Sequence, residues 1–146
     1  MSVVSKQKEQ LRSAIQAAIE AAQASGELEF ATVPEIGLEV PRDSGHGDFA
    51  SNIALVAAKM ARKAPRDVAQ IIVGHLSLGG FIRDVEVAGP GFINFFLSYD
   101  WLFDTIRVIE DEGQAYGDSR HGEGENILLE FVSANPVGPM NVVNAR

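Results

Sequence analysis

Val85-Glu86-Val87-Ala88-Gly89-Pro90-Gly91-Phe92-Ile93-Asn94-Phe95-Phe96-Leu97 reads as a β-hairpin. Val85 and Val87 alternate with Asp84 and Glu86, as in a half-buried strand, and Gly89-Pro90-Gly91 turns the chain. Successive strand side chains point to opposite faces, so Ile93, Phe95 and Leu97 share one face and Phe92, Asn94 and Phe96 the other. One face packs on helices. The other sets an aromatic ring beside an amide, a pair able to stack on and read one unpaired base. On the residues alone, the commoner arrangement has Phe92 and Phe96 in the core and Asn94 bonded to backbone. The fold class expected is α+β, an antiparallel sheet covered by helices.

The segments before the hairpin supply those helices. Leu11, Ile15, Ala18, Ile19 and Ala22 recur at helical spacing within residues 6–25, and Gly26 stops the run. Ile36, Leu38 and Val40 alternate with Gly37 and Glu39 between Pro34 and Pro41, which predicts a short strand. A loop, Arg42 to Asp48, then feeds a second helix with Asp48 as N-cap and Phe49, Ile53, Val56, Ala57 and Met60 on one stripe. His46 between two glycines reads as part of a flexible turn. Lys59, Arg62, Lys63 and Arg66 crowd the helix end. Favourable interaction with the helix dipole and phosphate contact account for them equally well. Pro65 opens a third helix carrying Val68, Ile71, Ile72, His75 and Leu76 on one face, which places His75 in the core, and Gly79 and Gly80 end it.

Beyond the hairpin, Asp100 caps a helix with Leu102, Ile106 and Ile109 turned inward and Gly113 at its end. Residues 114–125 are polar and Gly-rich, the one convincing linker. Their glycines precede a strand rather than follow it, and no Lys-Ser/Thr pair accompanies them, which excludes a phosphate loop. His121 within the linker is expected in solvent. Asn126 to Val132 is a largely apolar strand suited to a parallel sheet. It leads into Ser133-Ala134-Asn135-Pro136-Val137-Gly138-Pro139, the strand-then-turn geometry at which open α/β folds bind ligands.

With 146 residues the chain holds one well-buried domain and a short extension. Its 46% hydrophobic and 22% charged content is that of a folded protein. No apolar run reaches the roughly 20 residues of a membrane span, and the first residues lack the apolar core of a signal peptide, so a cytoplasmic location is expected. The absence of cysteine excludes disulfides and cysteine zinc sites, and no metal site is expected. A net charge of −8 argues against non-specific nucleic-acid binding, though not against a shaped contact at a local basic patch.

Three stretches together resemble the arginyl-tRNA synthetases, a class I family. Gly47-Asp48-Phe49-Ala50-Ser51-Asn52-Ile53-Ala54 is similar to a Gly-Asp-aromatic stretch of their N-terminal domain. Gly89-Pro90-Gly91-Phe92-Ile93-Asn94-Phe95 is similar to that domain's Gly-x-Gly-aromatic-x-Asn-Phe hallmark. Glu130-Phe131-Val132-Ser133-Ala134-Asn135-Pro136-Val137-Gly138-Pro139, followed after Met140 and a tetrapeptide by Ala145-Arg146, looks like the opening of their catalytic domain. The resemblance implies residues 1–113 as a tRNA D-loop-binding domain. Residues 114–146 would be the linker and first strand of a Rossmann-like catalytic domain.

It further implies tRNA-Arg, L-arginine and ATP (with magnesium) as partners, Phe92 and Asn94 as tRNA contacts, and Glu130, Ser133 and Asn135 as arginine-site residues. An anion at a strand end suits bidentate guanidinium binding; the bland alternative is a tight turn at Asn135-Pro136 and Val137-Gly138. The family's His-x-Gly-His signature is here Asn141-Val142-Val143-Asn144. Asn141 and Asn144 at the catalytic positions donate hydrogen bonds without charge, a loss of about 1.5–3 kcal/mol at one position. Val143 puts a β-branched side chain where the family's glycine lets adenine approach, so the ATP site departs more than the arginine site. The chain alone is expected to be inactive, to bind no cofactor and to be a monomer within an arginine–tRNA ligase. The rival reading is a catalytically weakened paralogue acting as an RNA-binding or regulatory module.

Overall fold

The computed structural model describes residues 3–77, 79–118, 122 and 124–129. Helix α1 (Val3–Ala24) is followed by strand β1 (Phe49–Ser51), α2 (Ile53–Ala61), α3 (Pro65–His75), β2 (Ile82–Ala88), β3 (Phe92–Leu97) and α4 (Asp100–Glu112). The chain divides into two units, Met1–Asp111 and Glu112–Arg146.

In the first unit an antiparallel three-stranded sheet has the order β1-β3-β2, with the hairpin in its expected place. Ala88 pairs with Phe92, Val87 with Ile93, Glu86 with Asn94 and Val85 with Phe95. One face of β3 enters the core: Ile93 and Phe95 are fully buried and Leu97 nearly so. Leu11, Ile15, Ile19, Ile53, Val68 and Ile72 from α1, α2 and α3 join them in one apolar cluster. The architecture is α+β, as expected. Two close approaches lock it. Gly91, at φ +140°, lies so near Pro65 that a Cβ would stand 2.8 Å from that residue's carbonyl, which fastens the hairpin turn to the start of α3. Gly47 stands equally close to β3.

Several local expectations are corrected. Asp48 does not cap a helix. Its carboxylate accepts the Leu97 N–H at 2.8 Å and its own N–H donates to the Phe95 carbonyl at 2.9 Å, which draws Phe49–Ser51 into the sheet. α2 therefore begins at Ile53, whose N–H is taken by the Ser51 hydroxyl (3.3 Å). Ile53 and Ala57 are buried as expected, but Val56 and Met60 face solvent. The strand at 36–40 reduces to one bridge, Glu39 to Ala50. The Ser51 hydroxyl occupies the Gly37 carbonyl (2.8 Å), and no longer ladder forms there. α3 ends at His75, before Gly79 and Gly80.

His75 is not a core histidine. It lies part-exposed in the last turn of α3 and pairs with Glu27. Hydrogen bonds from His75, and secondarily from Ser25 (2.9 Å), hold the Glu27 carboxyl below its ordinary 4.5. A depressed native pKa stabilises the fold above the unfolded value, and that contribution disappears as pH falls through the native one. Glu27→Gln is expected to flatten the fall in stability below about pH 4.5, read from urea midpoints at neutral and acid pH. An unchanged acid limb would mean that the pair contributes nothing.

The expected inward stripe of α4 is exposed: Leu102, Ile106 and Ile109 are 40–52% accessible, and Phe103 beside them is exposed too. Periodicity marks an apolar face without supplying a neighbour to cover it. In the second unit, residues 126–129 carry no regular secondary structure, and Ile127, Leu128 and Leu129 are exposed. The rest of the expected strand, through Val132, lies outside the described residues, as does His121.

Candidate nucleic-acid interface

The face of β3 turned away from the helices carries Phe92, Asn94 and Phe96, as the alternation requires. Its neighbours in register are small at two places. Ala88 flanks Phe92 on β2, and Ala50 flanks Asn94 on β1. Side chains of one methyl group leave a recess above the strand, walled by Glu39, Pro41, Arg42 and His46 from the segment before β1. Its volume is about 420 Å³, within the ~300–1,000 Å³ typical of ligand clefts.

Phe92 is half-buried at the recess, and Asn94 is 4% accessible. No described residue hydrogen-bonds the Asn94 side-chain amide, which keeps its access to the cavity. The expectation that Asn94 pairs with backbone through its side chain is thus not met. Its main chain pairs in both ladders while its amide faces the cavity. The recess offers one aromatic face, one donor–acceptor amide, a guanidinium, an imidazole and a carboxylate. That set can stack on a planar ring and hydrogen-bond its edge.

Loop geometry holds the wall in place. The Asp43 carboxylate accepts the Gly45 N–H at 2.8 Å, and a short 3-10 turn spans Ser44–His46. Gly47 then takes φ +87°, ψ −172°, bringing the loop against β3. At the hairpin end, Arg66 donates to the Gly89 carbonyl (3.3 Å). Phe96, the third outward residue, is covered differently. Arg83 lies 5.9 Å from its ring centre and 5.8 Å from that of Tyr99, so this aromatic surface already has its cation.

Residues 9–97, the stretch containing most of α1, the whole sheet and the recess, match the model of the arginyl-tRNA synthetase N-terminal domain. The chain belongs to that family. The arginine–tRNA ligase of Acetivibrio thermocellus is 48% identical over 146 residues, covering 99% of this chain. That of Symbiobacterium thermophilum is 47% identical over 147 residues, covering all of it. In both cases the chain spans 26% of the relative's length. The arginyl-tRNA synthetase structure from Plasmodium falciparum superposes with a TM-score of 0.56 at 13% identity, covering 67% of this chain and 17% of that one. The structure from Thermus thermophilus gives 0.53 at 23%, covering 66% and 15%. At such identities they attest the fold alone.

Within this synthetase-family domain, Phe92 and Asn94 stand side by side on one open face, as the alternation required. Glu39, Arg42 and His46 were not legible as site residues, because only the folded loop brings them beside β3; the Gly47-Asp48 pair that anchors the loop was the available signal. Glu130, Ser133, Asn135, Asn141, Val143 and Asn144 lie outside the described residues. Among the described residues no helix is long and apolar enough to cross a membrane.

Proposed function

We propose that this chain is the tRNA-reading N-terminal part of an arginine–tRNA ligase, and that Phe92 and Asn94 take one unpaired base of the tRNA-Arg D-loop. The observation that carries the reading is the unpartnered Asn94 amide, open to the recess beside the Phe92 ring. An unpaired amide lining a recess can both donate to and accept from a ligand, and a base supplies both a polar edge and a π face. Residues 1–113 form the tRNA-binding domain in this reading, and residues 114–146 lead into the catalytic domain.

The whole protein, a cytoplasmic monomer, activates L-arginine with ATP and magnesium and transfers it to tRNA-Arg. Glu130 holds the guanidinium there, with Ser133 and Asn135 on the rest of the amino acid. Asn141, Val143 and Asn144 meet the nucleotide with hydrogen bonds in place of charge. Support comes from the family match and from relatives named arginine–tRNA ligase.

The test replaces the D-loop bases of tRNA-Arg one at a time by abasic sites and measures binding to this chain. One position is expected to cost about 1–3 kcal/mol, the usual worth of a base stacked on an aromatic side chain. The same replacement lowers kcat/KM for charging by the whole ligase by a matching factor. Equal affinity for every D-loop variant would overturn the reading.

A further inference from the structure

The base recess has a cation at each of two flanks. Arg42 lines it from the segment before β1. Arg66, on α3, does not line it but bonds the carbonyl of Gly89, which does, at the hairpin turn. One comes from the segment that precedes edge strand β1, the other sits at the turn that joins β2 and β3. Neither guanidinium has an ion-pair partner among the described residues. The nearest acid in sequence to Arg66, Asp67, instead lines a separate groove with Glu27, Gln70 and His75. The close approach of Gly91 to Pro65 sets the backbone at Arg66 beside the turn.

A nucleotide whose base enters a recess leaves its two phosphates at the rim, where phosphate contacts fix register while base contacts specify. We propose that Arg42 and Arg66 form a phosphate clamp astride the base recess, each holding the backbone on one side of the inserted nucleotide. The clamp rests on the tRNA-reading function proposed above. It also gives a role to the basic run behind Arg66. Residues 59–66 hold four of the chain's 12 Lys and Arg and no acid, in a protein of net charge −8. Lys59 and Arg62 belong to the same basic run, while Lys63 is close enough to Glu27 to help depress its pKa. Arg62 is the one non-glycine residue at positive φ among the described residues (φ 52°), at a helix end where glycine is favoured. Glu39 and Glu86 on the sheet's outer face oppose a backbone laid across the strands and favour one leaving at the two arginine flanks.

The test is a salt series of tRNA-Arg binding to the chain and to its Arg42→Gln, Arg66→Gln and doubly substituted forms. Each lost contact to single-stranded phosphate reduces the slope of log affinity against log salt by about 0.7. The double form is therefore expected to lose about 1.4. Its deficit relative to the native chain then shrinks roughly sevenfold between 50 and 200 mM salt. Arg42→Lys and Arg66→Lys keep the native slope, which separates charge from any disturbance of the turn, and melting curves check that each variant is folded. Asn94→Ala lowers affinity at every salt without changing the slope. An unchanged slope in the double form, with Asn94→Ala still weakened, overturns the clamp and leaves the base recess standing. No binding to tRNA-Arg, or binding indifferent to Asn94→Ala and Phe92→Ala, overturns the function and the clamp with it.

Discussion

Asn94→Ala weakens tRNA-Arg binding by about 1–3 kcal/mol, the cost of leaving a base's polar edge without its partner, while the folded protein keeps its stability. The two halves of this result follow from one observation. The residue is 4% accessible, but its amide stays open to the recess and is bonded to no described residue, so it contributes no hydrogen bond to the fold. Alanine therefore removes no hydrogen bond of the fold and keeps the backbone pairing of Asn94 with Ala50 and Glu86. A structural asparagine gives the reverse pattern: loss of more than about 1 kcal/mol of stability and unchanged affinity. Urea unfolding beside a tRNA titration distinguishes them. Asn94→Asp is expected to bind more weakly than Asn94→Ala, because it adds a carboxylate to a face that already carries Glu39 and Glu86.

Legibility in the sequence followed the range of the forces involved. The hairpin was readable because alternation and Gly89-Pro90-Gly91 act over a few residues, and both faces of β3 came out as assigned. α1 and α3 were readable through helical spacing, with Pro65 marking the start of the latter. β1 was not. Phe49, Ile53 and Ala57 sit at helical intervals, and a strand as short as Phe49–Ser51 exists only because Phe95, Asn94 and Ile93 lie alongside. The same tertiary contact diverted Asp48 from capping to bonding Leu97. At the recess, Phe92 and Asn94 were visible as a pair two residues apart. Their walls were not, since Glu39, Arg42 and His46 reach β3 through a loop whose path depends on Gly47. α4 fails for a third reason: its apolar face is real, but amphipathicity does not name what lies against it.

That dependence on Gly47 can be tested directly. Gly47 occupies φ +87°, ψ −172°, a region that is essentially glycine-only and costs about 1–3 kcal/mol for other residues. An added Cβ would also stand 2.6 Å from the Phe95 carbonyl oxygen. The obstacle is backbone in the central strand, so the loop must move instead. Moving it stretches the Asp48–Phe95 and Asp48–Leu97 hydrogen bonds, each worth about 1 kcal/mol or more. Gly47→Ala is therefore expected to lose on the order of 3 kcal/mol or more. Gly26→Ala is the control: it shares a positive φ (+78°) but has nothing within 4 Å of the new methyl, so only the left-handed penalty of about 1–2 kcal/mol applies. Equal losses at the two sites would show that the approach to Phe95 contributes nothing. A larger loss at Gly47, with tRNA-Arg affinity falling even where the variant is still folded, would tie the loop's placement to the recess, because the same displacement carries Arg42 and His46 away from Phe92 and Asn94.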